Sequence, residues 1–425
     1  MASDYLRWEK LDNTANIFPV IAGDEITNTY RISVVLNEPV EPELLQKAVD
    51  IVTPRIPGFN LRLRSGAFWY YLEENKKRPP IVREEDTYPC RYIHPEANND
   101  YMFRVTYYKK RINLEVFHAV ADGMGGINFL KELTYQYLRL AHRELFDRYG
   151  DGLDKETSLD REDSFVTNYA KSFKMPYKTR RAFLIKGEKL PYNAFGVIHG
   201  ILSVSQLKKI SRDKYGVSIN EYLISTFVYA TYQKYKQKMS RHQAIRVAVP
   251  VNLRPFFDSM TTKNFFSMVS AEFIPDRLDY TFEEVVGCIH ESLKKQITKE
   301  NLEKIFSFTV SNTEWILAKI IPLPIKNLVM RIAYSQSALA NTTTITNIGN
   351  IRVDEGYKPY IDSFYCFIPF SKGQHIKGTI ASYEDKLIYS FVSAYQDTGI
   401  QKRIFRQIAS DGADVSIETN GVYYE

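Results

Sequence analysis

Between Asn28 and Val52 the spacing of hydrophobic residues changes period. "NTYRISVVLNEPV" alternates polar and apolar residues, as a half-buried strand does. "EPELLQKAVDIVTPRIP" then sets Leu44, Leu45, Ala48, Val49 and Val52 on one helical stripe, with Pro42 near its start and Pro54 stopping it. A chain that makes this switch repeatedly must stack helices on sheets. "GAFWYYLEEN" reads as an aromatic strand, and "YMFRVTYYKKRINLEVFHAV" as a hairpin turning near Lys109 and Lys110, its second strand running from Asn113 to Phe117. "INFLKELTYQYLRLAHREL" follows as a helix buried through Ile127, Leu130, Leu133, Tyr137, Leu138 and Ala141. The second half repeats the mixture: a helix, a turn at Gly216, and a long helix from near Asn220. After these come a strand in "AIRVAVPVNLRPF" leaving through Pro250, another in "NTTTITNIGNIRV", and a final hairpin in "HIKGTIASYEDKLIYSFVSA". The fold class is mixed α/β.

At 425 residues the chain exceeds what one growing core supports. Two related layers of about two hundred residues each are expected. The acidic "FDRYGDGLDKETSLDREDS" reads as a surface excursion, and the basic "YAKSFKMPYKTRRAFLIKGEKLP" as a crossover between layers. Aromatics at 14%, with Tyr 30 and Phe 25, suit either large cores or apolar pockets. The net charge of +6 suits a polyphosphate ligand, an acidic carrier protein or an anionic membrane surface. No zinc-finger spacing, RNA-binding aromatic motif or Lys/Arg block supports nucleic-acid binding. Cys90, Cys288 and Cys366 lie far apart and read as small buried hydrophobes in a reducing compartment. "MASDYLRWEKLDN" lacks the apolar run of a signal peptide, so a cytoplasmic protein is expected. Lys319, Pro322, Pro324 and Lys326 interrupt "WILAKIIPLPIKNLVM", Trp315 to Met330, so it does not read as a membrane-spanning helix. It reads as a partly buried amphipathic segment, or as a surface touching acyl chains.

The chemistry concentrates in "LEVFHAVADGMGG", Leu114 to Gly126. On a helix, His118 and Asp122 would share one face. Gly123, Gly125 and Gly126 argue against a helix there and for a loop at a strand-to-helix junction. On such a loop the histidine can point into a cleft while the aspartate turns elsewhere, and the glycines permit unusual torsions and close approach. Histidine has the proton affinity of a base near neutrality. Other patterns fail. "GMGGIN" lacks the third glycine of a dinucleotide loop. "DRYGDGLDKETS" has Tyr149 and Ser158 where calcium ligands belong. There is no GxSxG elbow. The remaining histidines, His94, His199 and His375 among them, have no metal-ligand spacing.

"HAVADG" matches the HxxxDG motif, and the chain resembles the chloramphenicol-acetyltransferase-like superfamily, which includes nonribosomal peptide condensation domains, plant BAHD acyltransferases and alcohol acetyltransferases. "LDNTANIFP", "GFNLRLRSGAFWYYLEE", "VPVNLRPFFDSMTTKNFF" and "TITNIGNIRV" extend the resemblance over nearly the whole chain, towards the bacterial alcohol-acetyltransferase-like branch. The resemblance implies two acetyltransferase-like α/β subdomains, residues 1–175 carrying HxxxDG and residues 176–425, facing each other across a central tunnel. It further implies that His118 is the general base for direct attack of an acceptor on an acyl thioester, with no acyl-enzyme. Asp122 would turn from the cleft and pair with Arg254 of "VNLRPF", fixing the loop that carries His118, and Gly123 would belong to the catalytic motif with them. Candidates for holding substrate or oxyanion are the backbone amides around Gly123, together with Thr346, Asn347 and Asn264.

The substrates implied are acyl-CoA and an alcohol, with no metal or bound redox cofactor. A second reading replaces CoA by acyl-pantetheine on an acyl carrier protein and the alcohol by an amine. Condensation domains usually carry two adjacent histidines, whereas Phe117 precedes His118 here. A third reading is a non-catalytic scaffold, against which the intact His118, Asp122 and Gly123 stand. Lys171, Lys174, Lys178, Arg180 and Arg181 form either a CoA-phosphate contact or a solvated linker.

Overall fold

The computed structural model describes residues 8–171, 180–191, 194–240, 242–314 and 320–421. Its strands are β1 (Trp8–Lys10), β2 (Thr29–Leu36), β3 (Leu61–Ser65), β4 (Tyr70–Glu74), β5 (Arg83–Glu84), β6 (Phe103–Tyr108), β7 (Arg111–Phe117) and β8 (Gly196–Ser203). They continue as β9 (Ile245–Asn252), β10 (Phe266–Phe273), β11 (Thr343–Asn350), β12 (Ile361–Phe367), β13 (Ile376–Tyr383), β14 (Lys386–Ser393) and β15 (Ser416–Thr419). Three sheets result, in the orders β12-β2-β7-β6-β5, β10-β9-β11-β13-β14-β8-β15 and β1-β4-β3.

Alternation along β2 and β7 sorts their side chains between two faces. Tyr30, Ile32, Val34, Ile112, Leu114 and Val116 lie in one core with residues of the helices Pro42–Val52 and Gly123–Ala141. The opposite face is buried yet polar. Ser33 Oγ donates to Asn113 Oδ1 at 2.7 Å, and Glu115 accepts from Arg31 Nε at 2.8 Å, from Arg104 and from the Cys90 amide at 2.6 Å. Burial alone would raise the Glu115 carboxyl. The two guanidiniums and the amide override it and hold the group below its ordinary range.

That polar face meets the second subdomain through one strand. β12 follows residue 176 in sequence, yet it pairs antiparallel with β2 (Cys366 beside Ile32, Phe364 beside Val34) and completes the N-terminal sheet. Tyr365 and Phe367, on its other face, cluster with Val197, Ile388 and Val392 of the seven-stranded sheet. Tyr365 Oη donates to Glu418 at 3.0 Å. A third small core thus seals the seam between the subdomains. The helices Ile219–Tyr235, Phe282–Gln296 and Gly399–Ser410 cover the far face of the seven-stranded sheet. Ser218 with Glu221 and Thr281 with Glu284 form the capping boxes that start the first two.

Two local readings are corrected. The prolines at 322 and 324 begin a helix, Leu323–Ser337, rather than interrupt one, since proline fits a helix's first turn. That helix buries only Leu323 and leaves Ile325, Leu328, Val329 and Ile332 more than half exposed, so it is not the partly buried segment expected. Trp315 to Lys319 lie outside the described residues. All three cysteines are free, and Cys288 is exposed rather than buried. Among the described residues no helix is long and apolar enough to cross a membrane.

Candidate active site

β7 ends at Phe117 and delivers His118 to a tight turn, closed by the Val120 amide donating to Phe117 O at 3.0 Å. Asp122 then caps the helix Gly123–Ala141, its Oδ1 accepting from the amides of Met124 and Gly125, each at 3.1 Å. The three glycines therefore form the first turn of a helix, not a loop. None has positive φ, so conformational freedom is not their use. Space is. A Cβ on Gly125 would lie 2.3 Å from Thr262 O, and one on Gly126 would lie 2.6 Å from Tyr30 Oη. At Gly123 the nearest atom would be Ile348 Cγ2, at 3.3 Å. Close packing at the junction excludes side chains at Gly125 and Gly126 despite their cost in helix propensity.

The Asp122 carboxylate faces the second subdomain. Arg254 Nη1 donates to Oδ2 at 2.9 Å and Nη2 to Oδ1 at 3.1 Å, and the Phe265 amide donates to Oδ2 at 3.1 Å. Arg254 spends its other donors on Thr261 O, Lys263 O and Asn252 Oδ1. The pair is buried and bidentate, with every lone pair and proton directed at a partner.

His118 sits half-buried where the subdomains meet. Phe18 stacks on its ring at 4.5 Å between centroids, Tyr30 meets it edge-on at 5.1 Å, and Phe266 of β10 approaches to 5.8 Å. Tyr30 Oη also donates to Asp122 O at 2.7 Å, tying the wall of the site to its loop. His118 Nδ1 lies 2.9 Å from Asn264 Oδ1. The amide orientation follows from the other end, where Asn264 Nδ2 donates to Asp12 Oδ2 at 2.8 Å and to His118 O at 3.1 Å. A carboxylate only accepts, so the Asn264 oxygen must face the imidazole, and Nδ1 must carry the proton. Nε2 is left as the basic nitrogen. Burial lowers the proton affinity of His118, with the Asp122 charge and the Asn264 contact acting in the opposite direction. The ring is therefore neutral at neutral pH. Burial likewise raises the Asp12 carboxyl to about 6 against the hydrogen bonds from Asn264 and Ala15.

The other sequence candidates fare differently. Asn264 has both ends of its amide occupied by protein groups, its oxygen by His118 Nδ1 and its nitrogen by Asp12 Oδ2 and His118 O. Asn347 is exposed, and its Oδ1 is taken by the Gly349 amide at 2.8 Å. Thr346 is half-buried on β11, two residues before Ile348, the residue over Gly123. The Gly123 amide, first in its helix, makes no hydrogen bond among the described residues. In the basic crossover, Arg180 and Arg181 are exposed, while Lys174 and Lys178 lie outside the described residues. A cavity of about 290 Å³, lined by Arg83, Arg91 and Arg104 among others, and one of about 580 Å³ beside Arg277 and Glu284 do not include His118. Asp12, Phe18, Tyr30 and Phe266 were not singled out from sequence. Asp12 and Phe18 stand in "LDNTANIFP" and Phe266 ends "TTKNFF", both stretches already marked by resemblance.

Neither a family model nor a curated protein sequence matches the chain. Solved structures do. A Fusarium sporotrichioides protein in complex with coenzyme A and T-2 superposes with a TM-score of 0.66 at 11% identity, covering 96% of this chain and 99% of the other. The trichothecene 15-O-acetyltransferase of the same fungus gives 0.61 at 11%, covering 97% and 95%. The condensation domain of the monacolin K polyketide synthase gives 0.58 at 8%, covering 96% and 97%. The chain thus has the fold of the chloramphenicol-acetyltransferase-like superfamily, two mixed α/β subdomains placed face to face.

Proposed function

We propose that the chain is an acyltransferase that moves an acyl group from acyl-CoA to an alcohol, with His118 Nε2 as general base. The observation carrying this reading is the hydrogen-bonded line from Asp12 through Asn264 to His118, which leaves an unprotonated Nε2 on a half-buried ring between two subdomains. The acceptor hydroxyl gives its proton to Nε2 as its oxygen bonds to the thioester carbonyl carbon. The negative charge that develops on the carbonyl oxygen is met by the free Gly123 amide at the positive end of a helix. Collapse breaks the C–S bond, and the imidazolium returns the proton to the departing thiolate. Ester and free thiol are the products, and no covalent enzyme intermediate is needed. Asp122 and Arg254 fix the loop and touch neither substrate. Coenzyme A in one of the superposed structures and O-acetyl transfer in the name of another support this choice of donor and acceptor.

The condensation domain among the superposed structures favours a second reading, in which a carrier protein delivers the thioester and the acceptor is an amine. One experiment separates the two. The protein is incubated with acetyl-, butyryl- and long-chain acyl-CoA and a panel of alcohols and amines, and acylated products are read by mass spectrometry. Esters formed from free acyl-CoA support the first reading. Products formed only from acyl groups loaded on a carrier protein, and only with amines, would replace it by the second.

A further inference from the structure

Along β13, Ile376 and Ile380 enter the core of the C-terminal subdomain, while Ala381 and Tyr383 enter that of the N-terminal one. Thr379, between them on the second face, donates its hydroxyl to Cys366 O of β12. Strand alternation therefore aims Lys377 into the seam between the two sheets. Its cross-strand neighbour is Val392, a member of the small seam core that also holds Cys90 and Phe367.

Lys377 is 8% exposed. Among the described residues its ammonium has no carboxylate and no hydrogen-bond acceptor. The buried acid of the seam, Glu115, is spent on Arg31, Arg104 and the Cys90 amide. Burial accordingly pushes the Lys377 ammonium down to about 7. The Lys377 charge also opposes protonation of the His118 ring. A buried charge without a partner is destabilising, and an apolar side chain of the same length would fill the space better. Such a group is retained where its partner arrives with the ligand.

We infer that Lys377 receives a carboxylate carried by one of the two substrates, in the seam between the two sheets. This rests on the acyl-transfer reading and narrows it to a dicarboxylic acyl donor or a hydroxy-acid acceptor. A charge-assisted hydrogen bond in a desolvated site is worth about 10- to 100-fold in kcat/KM.

The test compares malonyl-CoA with butyryl-CoA as donors and 3-hydroxybutyrate with its methyl ester as acceptors, for wild type and Lys377→Met. The wild type is expected to prefer the carboxylate-bearing partner by about 10-fold or more in one arm, which identifies the substrate that carries it. Lys377→Met is expected to abolish that preference and to melt at a higher temperature than wild type. Equal rates in both arms, or a preference surviving in Lys377→Met, would overturn the assignment. Absence of any product from the wild type would count against free acyl-CoA as the donor and not against Lys377. Melting then decides Lys377 alone: millimolar 3-hydroxybutyrate or malonate stabilises wild type and not Lys377→Met if the site is real, and shifts both equally or neither if it is not.

Discussion

Asn264 Oδ1 lies 2.9 Å from His118 Nδ1, and the asparagine comes from the opposite subdomain. The imidazole and the amide that sets its tautomer are thus brought together only by the docking of the two halves. Asp12 orients Asn264 from behind, through both its side-chain and its backbone nitrogen. Removing the amide should free the imidazole to rotate and to carry its proton on Nε2. Asn264→Ala is expected to lower kcat about 100-fold with a KM within a few-fold of wild type, measured in steady state. An unchanged kcat would deny Asn264 its positioning role.

Asp122 and Arg254 hold the turn that carries His118 against the second subdomain. Asp122→Ala leaves the Arg254 guanidinium buried without its counter-charge, and a loss of about 3–5 kcal/mol in unfolding free energy is expected from denaturant titration. The double variant Asp122→Ala with Arg254→Met should lose less than the sum of the singles, because neither charge is then stranded. Additive losses would show that the pair does not couple.

The pH dependence follows from His118. Its proton affinity is held below the ordinary value of 6.5 by burial. Below pH 6.5 an unfolded chain takes up this proton and the folded one resists it. The group's stabilising contribution is therefore complete above 6.5 and lost as pH falls toward the folded value. Asp12 has the opposite sign: raised to about 6, it favours the folded state most below 3.8, and that contribution is lost as pH rises through 6. For catalysis both point the same way, since acid protonates the base and removes the charge that orients Asn264. A plot of kcat/KM against pH should be level above about 7 and fall on the acid side with a midpoint below 6.5. An acid limb centred above 7 would contradict this reading.

Gly125 is required by space. Gly125→Ala would press its methyl group against the Thr262 carbonyl and Ala121 Cβ, whereas a methyl group on Gly152 would have nothing within 4 Å. A loss of about 1–3 kcal/mol is expected for Gly125→Ala and almost none for Gly152→Ala, read as thermal melting. Equal melting of the two variants would contradict the packing argument.

Local patterns in the sequence carried much of this architecture. The period change between β2 and the helix Pro42–Val52, the Lys109–Lys110 hairpin turn and the Gly216 turn all follow from nearest neighbours, and they stand where spacing places them. The glycines after Asp122 misled, because low helix propensity was weighed without the Thr262 and Tyr30 atoms that crowd the first turn. β12 was beyond reach for a related reason. Nothing in "IDSFYCF" says that its partner is β2, some three hundred residues earlier in the chain. The site divided in the same way. His118, Asp122 and Arg254 lay in motifs, but Asp12 and Lys377 acquire meaning only from what surrounds them once the subdomains meet.

The central claim is that His118 moves the proton. Wild type and His118→Ala are to be compared in single-turnover ester formation, using the acyl-CoA and alcohol on which the wild type is active, with melting temperature as a control for folding. The expected result is a His118→Ala protein that melts like wild type and forms ester about 10²–10⁴-fold more slowly. A well-folded His118→Ala protein that forms ester at the wild-type rate would contradict the account.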